Sequence, residues 1–342
     1  MKNESMSTTT DLSAPDGSFS AFQVRKNETL TSNIVRLKLN DLSPGEVVIR
    51  TAFAGVNYKD ALATTEHGRV IQQFPRVVGS DASGTVVAST DSAFRPGDEV
   101  VIIGRGFGVA HDGGFSEFIR APASWVTKLP SGMNLFTAAA LGIAGYTAGL
   151  AVHLLQEAGY HPKQGKVLVN GATGAVSSMG IEMLSSLGYT VTAMTSKAEQ
   201  SAYLTSVGAR EIISPSNMPD SGKPLDKGQW AAALDALGGH PLSLLLRSIM
   251  PRGCVASFGN VVGNELTTSV LPFILRGIRL IGVNVTYYLD IELLLWQRLA
   301  NDLKPHYMLG TVHTIPLGAL PEQLERMLSG KTLGRTVVDF SI

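Results

Sequence analysis

The sequence predicts an α/β protein that combines a doubly wound parallel sheet with a partly open, antiparallel β-barrel. Residues 166–197 read as a buried strand, a glycine turn, a helix and a second strand. Strands and helices continue to alternate to about residue 283, which is typical of a doubly wound sheet. Before residue 130 the pattern is one of short strands separated by turns, with no crossover helices, which favours a barrel.

Composition and charge restrict the function classes. The chain has 342 residues, of which 44% are hydrophobic, enough for two domains with substantial cores. Lys and Arg (28) balance Asp and Glu (28), so the basic footprint of a nucleic-acid-binding protein is missing. The single cysteine, Cys254, excludes an internal disulfide and a multi-cysteine zinc site, and it favours a reducing, cytoplasmic location. It lies in a predicted strand, where a small buried apolar role is expected.

Both ends of the chain carry organisational signals. Residues 1–17 are polar and without an apolar stretch, so we expect a disordered leader and no signal peptide. No later run is both long and free enough of charge for us to expect a membrane span. The last β-like segment, Thr336–Ile342, has no crossover partner and is expected to return to the barrel. The predicted domains are therefore a barrel at 18–140, completed by 287–342, and a doubly wound parallel-sheet domain at 141–286.

Individual elements follow from local patterns. The segments 41–46 (DLSPGE) and 95–100 (RPGDEV) are turn signals between barrel strands. Small apolar residues at helical spacing predict a long helix over Thr137–Ala158. The same reasoning predicts strands at Glu211–Ser214, Ala231–Asp235, Cys254–Gly259, Ile278–Val283 and Thr311–Ile315, and helices at Ala198–Val207, Leu242–Met250 and Pro321–Leu328.

The glycine turn is the clearest candidate binding element. Gly171 and Gly174 let the backbone approach a ligand closely, and the helix that follows offers free N–H groups and its positive dipole end to a pyrophosphate. Ser177 stands where the third glycine of the fingerprint would be, and a turn used only for packing is the alternative. We predict cofactor contacts from four consecutive residues, Thr173, Gly174, Ala175 and Val176.

The end of the second strand indicates which dinucleotide is bound. Enzymes that use NAD carry an acidic residue there, which binds the ribose 2′-OH. This chain has Thr195, Ser196 and Lys197 instead. A lysine flanked by two hydroxyl groups suits a 2′-phosphate, so we predict contacts from these three residues and NADPH as the cofactor. A surface lysine at the start of the next helix is the alternative.

Seven motifs occur in an order that a known superfamily shares. They are AGVNYKDALA (54–63), GSDASGTV (79–86), RPGDEV (95–100), HDGGFSEF (111–118), GIAGYTAG (142–149), VLPFILRGIRLIGVN (270–284) and KTLGRTVVDF (331–340). With them the chain resembles the medium-chain dehydrogenase/reductase superfamily over nearly its whole length, and most of all its zinc-free branch of quinone-oxidoreductase-like and acryloyl-CoA reductase proteins. The resemblance implies a Rossmann domain, a GroES-like barrel domain and a homodimer.

The resemblance also bears on metals. Zinc alcohol dehydrogenases of this superfamily have a cysteine where Asn57 stands and a His-Glu pair where this chain has Ser80 and Asp81. Their structural zinc needs four further cysteines. None of these thiols is present, so we predict a zinc-independent enzyme without a metal site.

Residues of the reaction centre are carried over from the same resemblance. Asn57 is expected to face the reacting atoms and to donate its amide to a substrate carbonyl, and Tyr58 matches a tyrosine that packs near the nicotinamide. Both are catalytic candidates, and Tyr58 is also a cofactor contact. Asp60 is expected to cap the helix that follows. Further predicted cofactor contacts are Thr147, Asn260, Ile274, Val285 and Arg335, with packing or surface roles as the alternatives.

The predicted reaction is NADPH-dependent reduction of an activated C=C bond, with hydride added to the β-carbon of an acryloyl-CoA-like enoyl thioester. Without zinc an isolated carbonyl is not polarised, whereas a conjugated bond passes charge to an oxygen that hydrogen-bond donors can stabilise. Reduction of a quinone is one alternative. A non-catalytic NADPH-binding sensor is another, because Arg69 stands near the place of a catalytic tyrosine in related enoyl-thioester reductases. We expect a small-molecule substrate, and neither nucleic acid nor membrane as a partner.

Overall fold

The computed structural model describes residues 17–342, so the predicted leader lies outside the described residues, apart from Gly17. The chain divides into two compact units. One, the barrel unit, runs to Ile143 and resumes at Val312. The other, the sheet unit, comprises Ala144–Thr311.

Strands and helices alternate through most of the described chain. The strands are β1 (Phe19–Lys26), β2 (Leu30–Leu37), β3 (Val47–Val56), β4 (Arg76–Val77), β5 (Asp81–Ser89), β6 (Glu99–Ile103), β7 (Phe118–Ala121), β8 (Val126–Lys128), β9 (Val167–Val169), β10 (Val191–Met194), β11 (Glu211–Ile213), β12 (Trp230–Asp235), β13 (Ile249–Ser257), β14 (Arg279–Gly282), β15 (His313–Ile315) and β16 (Thr336–Asp339). The α-helices are α1 (Tyr58–Leu62), α2 (Leu135–Glu157), α3 (Ala175–Ser186), α4 (Ser201–Ser206), α5 (Gly239–Ser248), α6 (Leu271–Arg276), α7 (Glu292–Ala300), α8 (His306–Gly310) and α9 (Leu320–Leu328).

The barrel unit contains a three-stranded and a seven-stranded sheet. The order is β2-β1-β4 in the first and β15-β16-β3-β5-β6-β8 in the second, where β7 also pairs with β3. Apart from the parallel pair of β15 and β16, the pairings of the larger sheet are antiparallel. The last strand joins β3, with Thr336 opposite Val56, so the predicted return of the C-terminal segment to the barrel is confirmed.

The sheet unit is built on six parallel strands in the order β11-β10-β9-β12-β13-β14. The central strand β9 is wholly buried and apolar, as expected of a strand covered on both faces. From β9 the chain first moves to β10 on one side and later to β12 on the other. The strand order therefore reverses between β9 and β12, and ligands of such sheets bind at the carboxyl ends of the strands beside that reversal.

The chain returns to the barrel unit at Val312, later than the boundary predicted near residue 287. Helix α7 buries Leu295, Trp296 and Leu299, and the Trp296 ring lies 5.4 Å from the ring of Tyr146 on α2. These side chains bind the segment to the sheet unit. An apolar face of this kind does not show in the sequence which core it will join.

Helix α8 is held in the sheet unit by a carboxylate. Glu182 on α3 accepts hydrogen bonds from the backbone N–H groups of Tyr307 (2.7 Å) and Met308 (2.9 Å). The free N–H groups of a helix start are thereby satisfied from another helix. This contact adds to the packing of α7 in keeping the segment before Val312 with the parallel sheet.

The long apolar helix α2 would meet the length and composition criteria for a membrane span, contrary to the expectation that no run would. Its most apolar window is 78% buried inside the protein. The helix is also broken at Gly142, where the backbone is non-helical (φ 47°, ψ −150°). Burial of this kind is what a core helix shows.

Candidate active site and nucleotide site

The candidate reaction centre of the barrel unit begins where β3 passes into α1. Asn57 is the N-cap residue of α1 and has extended backbone angles. Its backbone N–H donates to Asp60 Oδ2 at 2.9 Å, which completes a capping box. The prediction that Asp60 caps this helix is confirmed.

The amide of Asn57 is fully engaged within the barrel unit. Its Oδ1 accepts a 2.7 Å hydrogen bond from Arg335. Its Nδ2 carries two hydrogens but faces four acceptors within 3.2 Å: Asp81 Oδ2 (2.8 Å), Asp60 Oδ2 (3.1 Å), Ser80 Oγ (3.1 Å) and Gly55 O (3.2 Å). No N–H is left for a substrate oxygen in this arrangement, which differs from the predicted donor role. Asn57 instead ties neighbouring segments together.

Arg335 is the cation at the middle of this network. Only 1% of the residue is exposed, and each guanidinium nitrogen has an acceptor. The acceptors are Ala140 O (2.9 Å), Val56 O (2.9 Å), Asn57 Oδ1 (2.7 Å), Ala139 O (3.0 Å) and Asp81 Oδ2 (3.3 Å). This arrangement leaves no guanidinium N–H of Arg335 for the predicted cofactor contact.

Asp81 is the buried anion that Arg335 neutralises. It is 0% exposed and also accepts from the backbone N–H groups of Gly55 (2.8 Å) and Ile143 (2.9 Å). A Cβ at Gly55 would lie 1.7 Å from Arg335 Nη2, and one at Gly142 would lie 2.4 Å from the same atom. Both glycines are needed because the backbone comes this close to the ion pair.

Asp60 is the second buried carboxylate of the centre. Burial raises the pKa of its carboxyl group from 3.8 to about 6, and the charge of Asp81 acts in the same direction. Hydrogen bonds from Ser80 and Asn57 oppose the shift. This side chain is thus the group of the centre that changes its charge in mildly acidic solution.

These residues do not suit a zinc ion. The place that a thiolate would need is taken by the Asn57 amide, which is already bonded at both ends. Of the two neighbouring carboxylates, Asp81 has a guanidinium within hydrogen-bonding distance, and Asp60 is engaged in the capping box of α1. Within residues 17–342 no group of three or more His, Cys, Asp or Glu side chains could hold a metal. The donor set therefore agrees with the predicted zinc independence.

Tyr58 and His111 lie in contrasting surroundings. Tyr58, the first residue of α1, exposes 47% of its surface. His111 lies in a glycine-rich loop but is only 8% exposed. Its ring nitrogens lie 3.0 Å from Asp112 O and 2.9 Å from Pro44 O. His111 therefore braces the loop after β2, and only Tyr58 presents a polar group to solvent.

In the sheet unit the glycine turn follows β9, as predicted. Gly171 has a φ of 55°, and a Cβ there would lie 3.2 Å from that of Ala236. Ser177 takes the place of the missing third glycine: it is 1% exposed and donates from Oγ to Asn170 O at 2.9 Å. The serine therefore closes the turn from within. Thr173, Ala175 and Val176 are half-buried around the helix start, and Gly174 is its exposed N-cap residue.

A buried polar pair beside this turn was not identified from the sequence. Asp235, at the end of β12, is 0% exposed and accepts hydrogen bonds from Asn170 Nδ2, Ser257 Oγ (2.8 Å) and the backbone N–H of Gly238 (3.3 Å). Asn170 Oδ1 in turn accepts from Ala236 N at 2.7 Å. The pair thus links the carboxyl ends of β9 and β12, the two strands between which the strand order reverses. An Asn at one strand end and an Asp at another were the available signals.

The predicted 2′-phosphate residues follow β10. Thr195 is buried and its Oγ1 accepts from Lys197 N at 3.0 Å, whereas Ser196 is exposed. Lys197 is half-buried, and residues 194–197 contain no acid. The strand end thus carries a positive charge and an exposed hydroxyl, as the predicted role requires, while the Thr195 hydroxyl is used to shape the loop.

The other predicted cofactor contacts are dispersed. Asn260 follows β13 and Val285 follows β14, so both lie at carboxyl ends of the parallel strands. Ile274 is on α6, before β14, and exposes 70% of its surface. Thr147 lies within α2 and is half-buried. The topology brings Asn260 and Val285, but not Ile274, to the edge of the sheet that carries the glycine turn.

Two family profiles match the chain. Residues 43–131 match the alcohol dehydrogenase GroES-like domain. Residues 175–301 match the domain described as zinc-binding dehydrogenase. The second description names a metal that the Asn57 centre does not accommodate.

Three relatives extend over almost the whole chain. YhfP of Bacillus subtilis, a proposed quinone oxidoreductase by name, is 39% identical, and the match covers 94% of this chain and 98% of YhfP. The crystal structure of YhfP with NAD bound matches with a TM-score of 0.92 and covers 94% of this chain and 99% of that chain. Acrylyl-CoA reductase AcuI of Ruegeria pomeroyi is 38% identical, covering 94% and 99%. The YhdH oxidoreductase of Salmonella enterica, solved with NADP, is 36% identical with a TM-score of 0.91, covering 94% and 99%.

These matches confirm the predicted family and the predicted combination of a Rossmann sheet with a GroES-like barrel. The chain belongs to the medium-chain dehydrogenase/reductase family of oxidoreductases, in the zinc-free subgroup that includes these quinone oxidoreductases and acrylyl-CoA reductases.

Proposed function

We propose that this protein is an NADPH-dependent reductase of C=C bonds conjugated to a thioester carbonyl, with an acryloyl-CoA-like substrate. One observation carries the proposal: an arginine-centred network fills the place that a catalytic zinc would need. Such a centre has no Lewis acid for an isolated ketone, whereas a conjugated bond needs only hydrogen-bond donors at its oxygen. The AcuI relative carries the same activity in its name.

The residues of the sheet unit suit a dinucleotide. The left-handed backbone at Gly171 and the start of α3 form the turn that takes a pyrophosphate, and Lys197 supplies the charge for a 2′-phosphate. NADPH, when bound, supplies the hydride for the β-carbon. Thr195 holds the loop of Lys197 through its backbone N–H.

The barrel unit supplies the hydrogen bonds. Because both ends of the Asn57 amide are engaged, we assign the donor role to the exposed Tyr58 hydroxyl. It donates to the thioester oxygen on which negative charge develops, and Asn57 acts by fixing the first turn of α1 that carries it. The proton that completes the reduction at the α-carbon comes from water.

The substrate assignment is tested by following NADPH oxidation with acryloyl-CoA, crotonyl-CoA, simple enones, quinones and saturated ketones in parallel. We expect the highest kcat/KM for the two thioesters and none for saturated ketones. Faster turnover of quinones would support the second candidate, which the relationship to YhfP favours. NADPH binding in a thermal-shift assay without turnover of any substrate would indicate a non-catalytic sensor.

The donor role predicts the effect of one hydroxyl. Tyr58→Phe should lower kcat for acryloyl-CoA roughly 10²-fold with an unchanged KM for NADPH, as expected when one oxyanion donor is lost. Tyr287→Phe is the matched control, because Tyr287 is 80% exposed and belongs to the sheet unit. An unchanged kcat in Tyr58→Phe would move the donor role to another group.

The cofactor preference is tested at Lys197. Loss of a charge-assisted contact with the 2′-phosphate should raise the KM for NADPH in Lys197→Ala about 10- to 100-fold and leave that for NADH nearly unchanged. The exposed Lys163→Ala is the control. Equal weakening of both cofactors would contradict the 2′-phosphate role, and a low KM for NADH in the parent would fit the NAD-bound structure of YhfP.

We further propose a homodimer in the cytoplasm. Strand β14 is an edge of the parallel sheet, and the preceding segment exposes Val270 (65%), Ile274 (70%) and Leu275 (64%). An open edge beside exposed apolar side chains suits a second copy of the chain. Sedimentation velocity should give the dimer mass, and a monomer at micromolar concentration would refute this. The single, buried Cys254, whose thiol pKa is raised by burial to about 11, is compatible with a reducing compartment.

A further inference from the structure

The barrel unit buries two carboxylates beside one guanidinium. Asp81 is 0% and Asp60 is 3% exposed, and both lie within 3.1 Å of Asn57 Nδ2. Arg335 contacts Asp81 at 3.3 Å. No ion pair of Asp60 with a cation is found within residues 17–342. Its negative charge is therefore offset by hydrogen bonds alone.

Those hydrogen bonds join two separate segments. Asp60 Oδ2 accepts from the backbone N–H (2.9 Å) and the Nδ2 (3.1 Å) of Asn57, at the start of α1. Asp60 Oδ1 accepts from the backbone N–H of Ser80 at 2.9 Å, immediately before β5. One carboxylate thus fixes the residue before Tyr58 and the residue before Asp81.

The charged surroundings of Asp60 come from three directions. From β5, Asp81 raises its pKa. From the segment before β16, Arg335 lies against Asp81 instead. Helix α9 packs against α1, and its charged side chains are exposed, as is Lys59 on α1 itself. The charged residues of α9 are Glu322, Glu325 and Arg326.

We propose that Asp60 is a positioning residue whose carboxylate form holds Asn57 and Ser80 in place, and that uptake of one proton at this side chain in mildly acidic solution releases Ser80 and slows the reaction. The inference rests on the proposed function only in its link to Tyr58. Asp60 touches neither substrate nor cofactor. It acts through the turn that presents the tyrosine.

The hydrogen bonds of the Asp60 carboxylate determine which contact is lost when the group takes up a proton. A proton is best placed on Oδ1, which accepts from one N–H group, because Oδ2 accepts from two. The protonated Oδ1 becomes a donor, so the Ser80 N–H loses its acceptor. The Ser80 hydroxyl, whose hydrogen bond stabilises the carboxylate form, must change from donor to acceptor to meet the new proton. The carboxyl pKa of about 6 places this change within an accessible pH range.

The test is the pH dependence of kcat for acryloyl-CoA from about pH 5 to about pH 8. We expect kcat of the parent protein to fall about tenfold towards acid, with a midpoint near the Asp60 pKa of about 6. Asp60→Asn, whose neutral amide keeps one acceptor oxygen and replaces the other by an NH₂ donor group, should show the low acid value of kcat at every pH. The proposal would be overturned if kcat of Asp60→Asn still falls towards acid as in the parent protein, or if this variant keeps full activity at every pH.

A control and a second variant make the test specific. Asp41→Asn is the control, because Asp41 also accepts from a capping-box N–H, that of Lys38 at 2.7 Å, but is exposed. It should retain the pH curve of the parent. Ser80→Ala removes a hydrogen bond that lowers the pKa of Asp60, so its midpoint should move to higher pH. An unmoved midpoint would refute the role of Asp60 even if Asp60→Asn fails to fold.

A readout without substrate separates this inference from the proposed function. Hydrogen exchange of a peptide that contains Ser80, corrected for the intrinsic pH effect, should lose protection below about pH 6 in the parent protein. The peptide around Lys38 should not change. Protection that stays constant across this range would overturn the inference, whereas absence of turnover on every thioester would overturn only the proposed function.

Discussion

The two units each bury a carboxylate at 0% exposure, but they stabilise its charge differently. In the barrel unit, Asp81 lies against Arg335, itself 1% exposed. In the sheet unit, Asp235 has no cation among its described contacts and is surrounded by uncharged donors, with Asn170 and Ser257 the two that come from side chains. The first charge is balanced by one cation together with hydrogen bonds, and the second by hydrogen bonds from uncharged donors.

This difference predicts how much stability each unit loses when one partner of its buried carboxylate is removed. Removing one member of a buried ion pair leaves the other charge uncompensated, at a cost of about 3–5 kcal/mol. Removing one of several dipoles leaves most of the stabilisation in place and costs about 1.5–3 kcal/mol, the range for one hydrogen bond to a charged group. The barrel unit should therefore fail abruptly at one residue, and the sheet unit should weaken gradually.

The largest effect is expected at Arg335. Arg335→Met retains an apolar stem but leaves Asp81 charged and the carbonyl groups of Val56, Ala139 and Ala140 without their donor. We expect the free energy of unfolding, measured by guanidinium titration, to fall by about 3–5 kcal/mol.

A second substitution shows whether charge is the cause. Asp81→Asn in the Arg335→Met background removes the uncompensated anion and should recover part of the loss, which a double-mutant cycle would measure. If the double variant is no more stable than Arg335→Met alone, packing rather than charge dominates at this pair, and the contrast between the units is lost.

The next effect depends on pH and comes from Asp60. Its folded pKa of about 6 lies above the unfolded value of 3.8, so the folded protein binds the proton more tightly. The stability that this provides is complete below about pH 4 and is lost as the pH rises to about 6. About two pKa units correspond to about 3 kcal/mol.

The measurement is the free energy of unfolding between about pH 4 and about pH 7 for the parent and for Asp60→Asn. The difference between the two curves should change by about 3 kcal/mol over the interval where Asp60 titrates. Parallel curves would show that Asp60 has an ordinary carboxyl pKa. Protonation of Asp60 would then contribute nothing to the difference in stability between the barrel unit and the sheet unit.

What the sequence predicts well is local. The strand, glycine turn and helix around Gly171, and the return of Thr336–Ile342 to the barrel, follow from periodicity and from turn residues. The role of Arg335 does not, because its partners Ala140 and Val56 lie 195 and 279 positions away along the chain. A motif that places an arginine near the C-terminus does not show whether it meets a phosphate or a buried carboxylate.

The same limit applies to Asn57 and to the boundary near residue 287. The residue type of Asn57 and its position at a strand end indicate a donor. The four acceptors around its Nδ2, however, come from segments that only the fold brings together. For the boundary, the apolar face of α7 is visible in the sequence, yet its burial beside Tyr146 is a tertiary fact. Local patterns predict elements, and long-range contacts decide their roles.

The smallest effect is expected at Ser257, one of the donors to Asp235. Its Oγ donates to Asp235 Oδ2 at 2.8 Å, while Oδ1 retains the bonds from Asn170 and from the backbone N–H groups of Leu237 and Gly238. Ser257→Ala should therefore lower the free energy of unfolding by about 1.5–3 kcal/mol, as expected for one hydrogen bond to a charged group. The exposed Ser206→Ala, whose hydroxyl bonds within its own helix, is the matched control. If Ser257→Ala lowers the free energy of unfolding as much as Arg335→Met does, the carboxylate of the sheet unit also depends on one partner. The two units would then not differ in how their buried charges are stabilised.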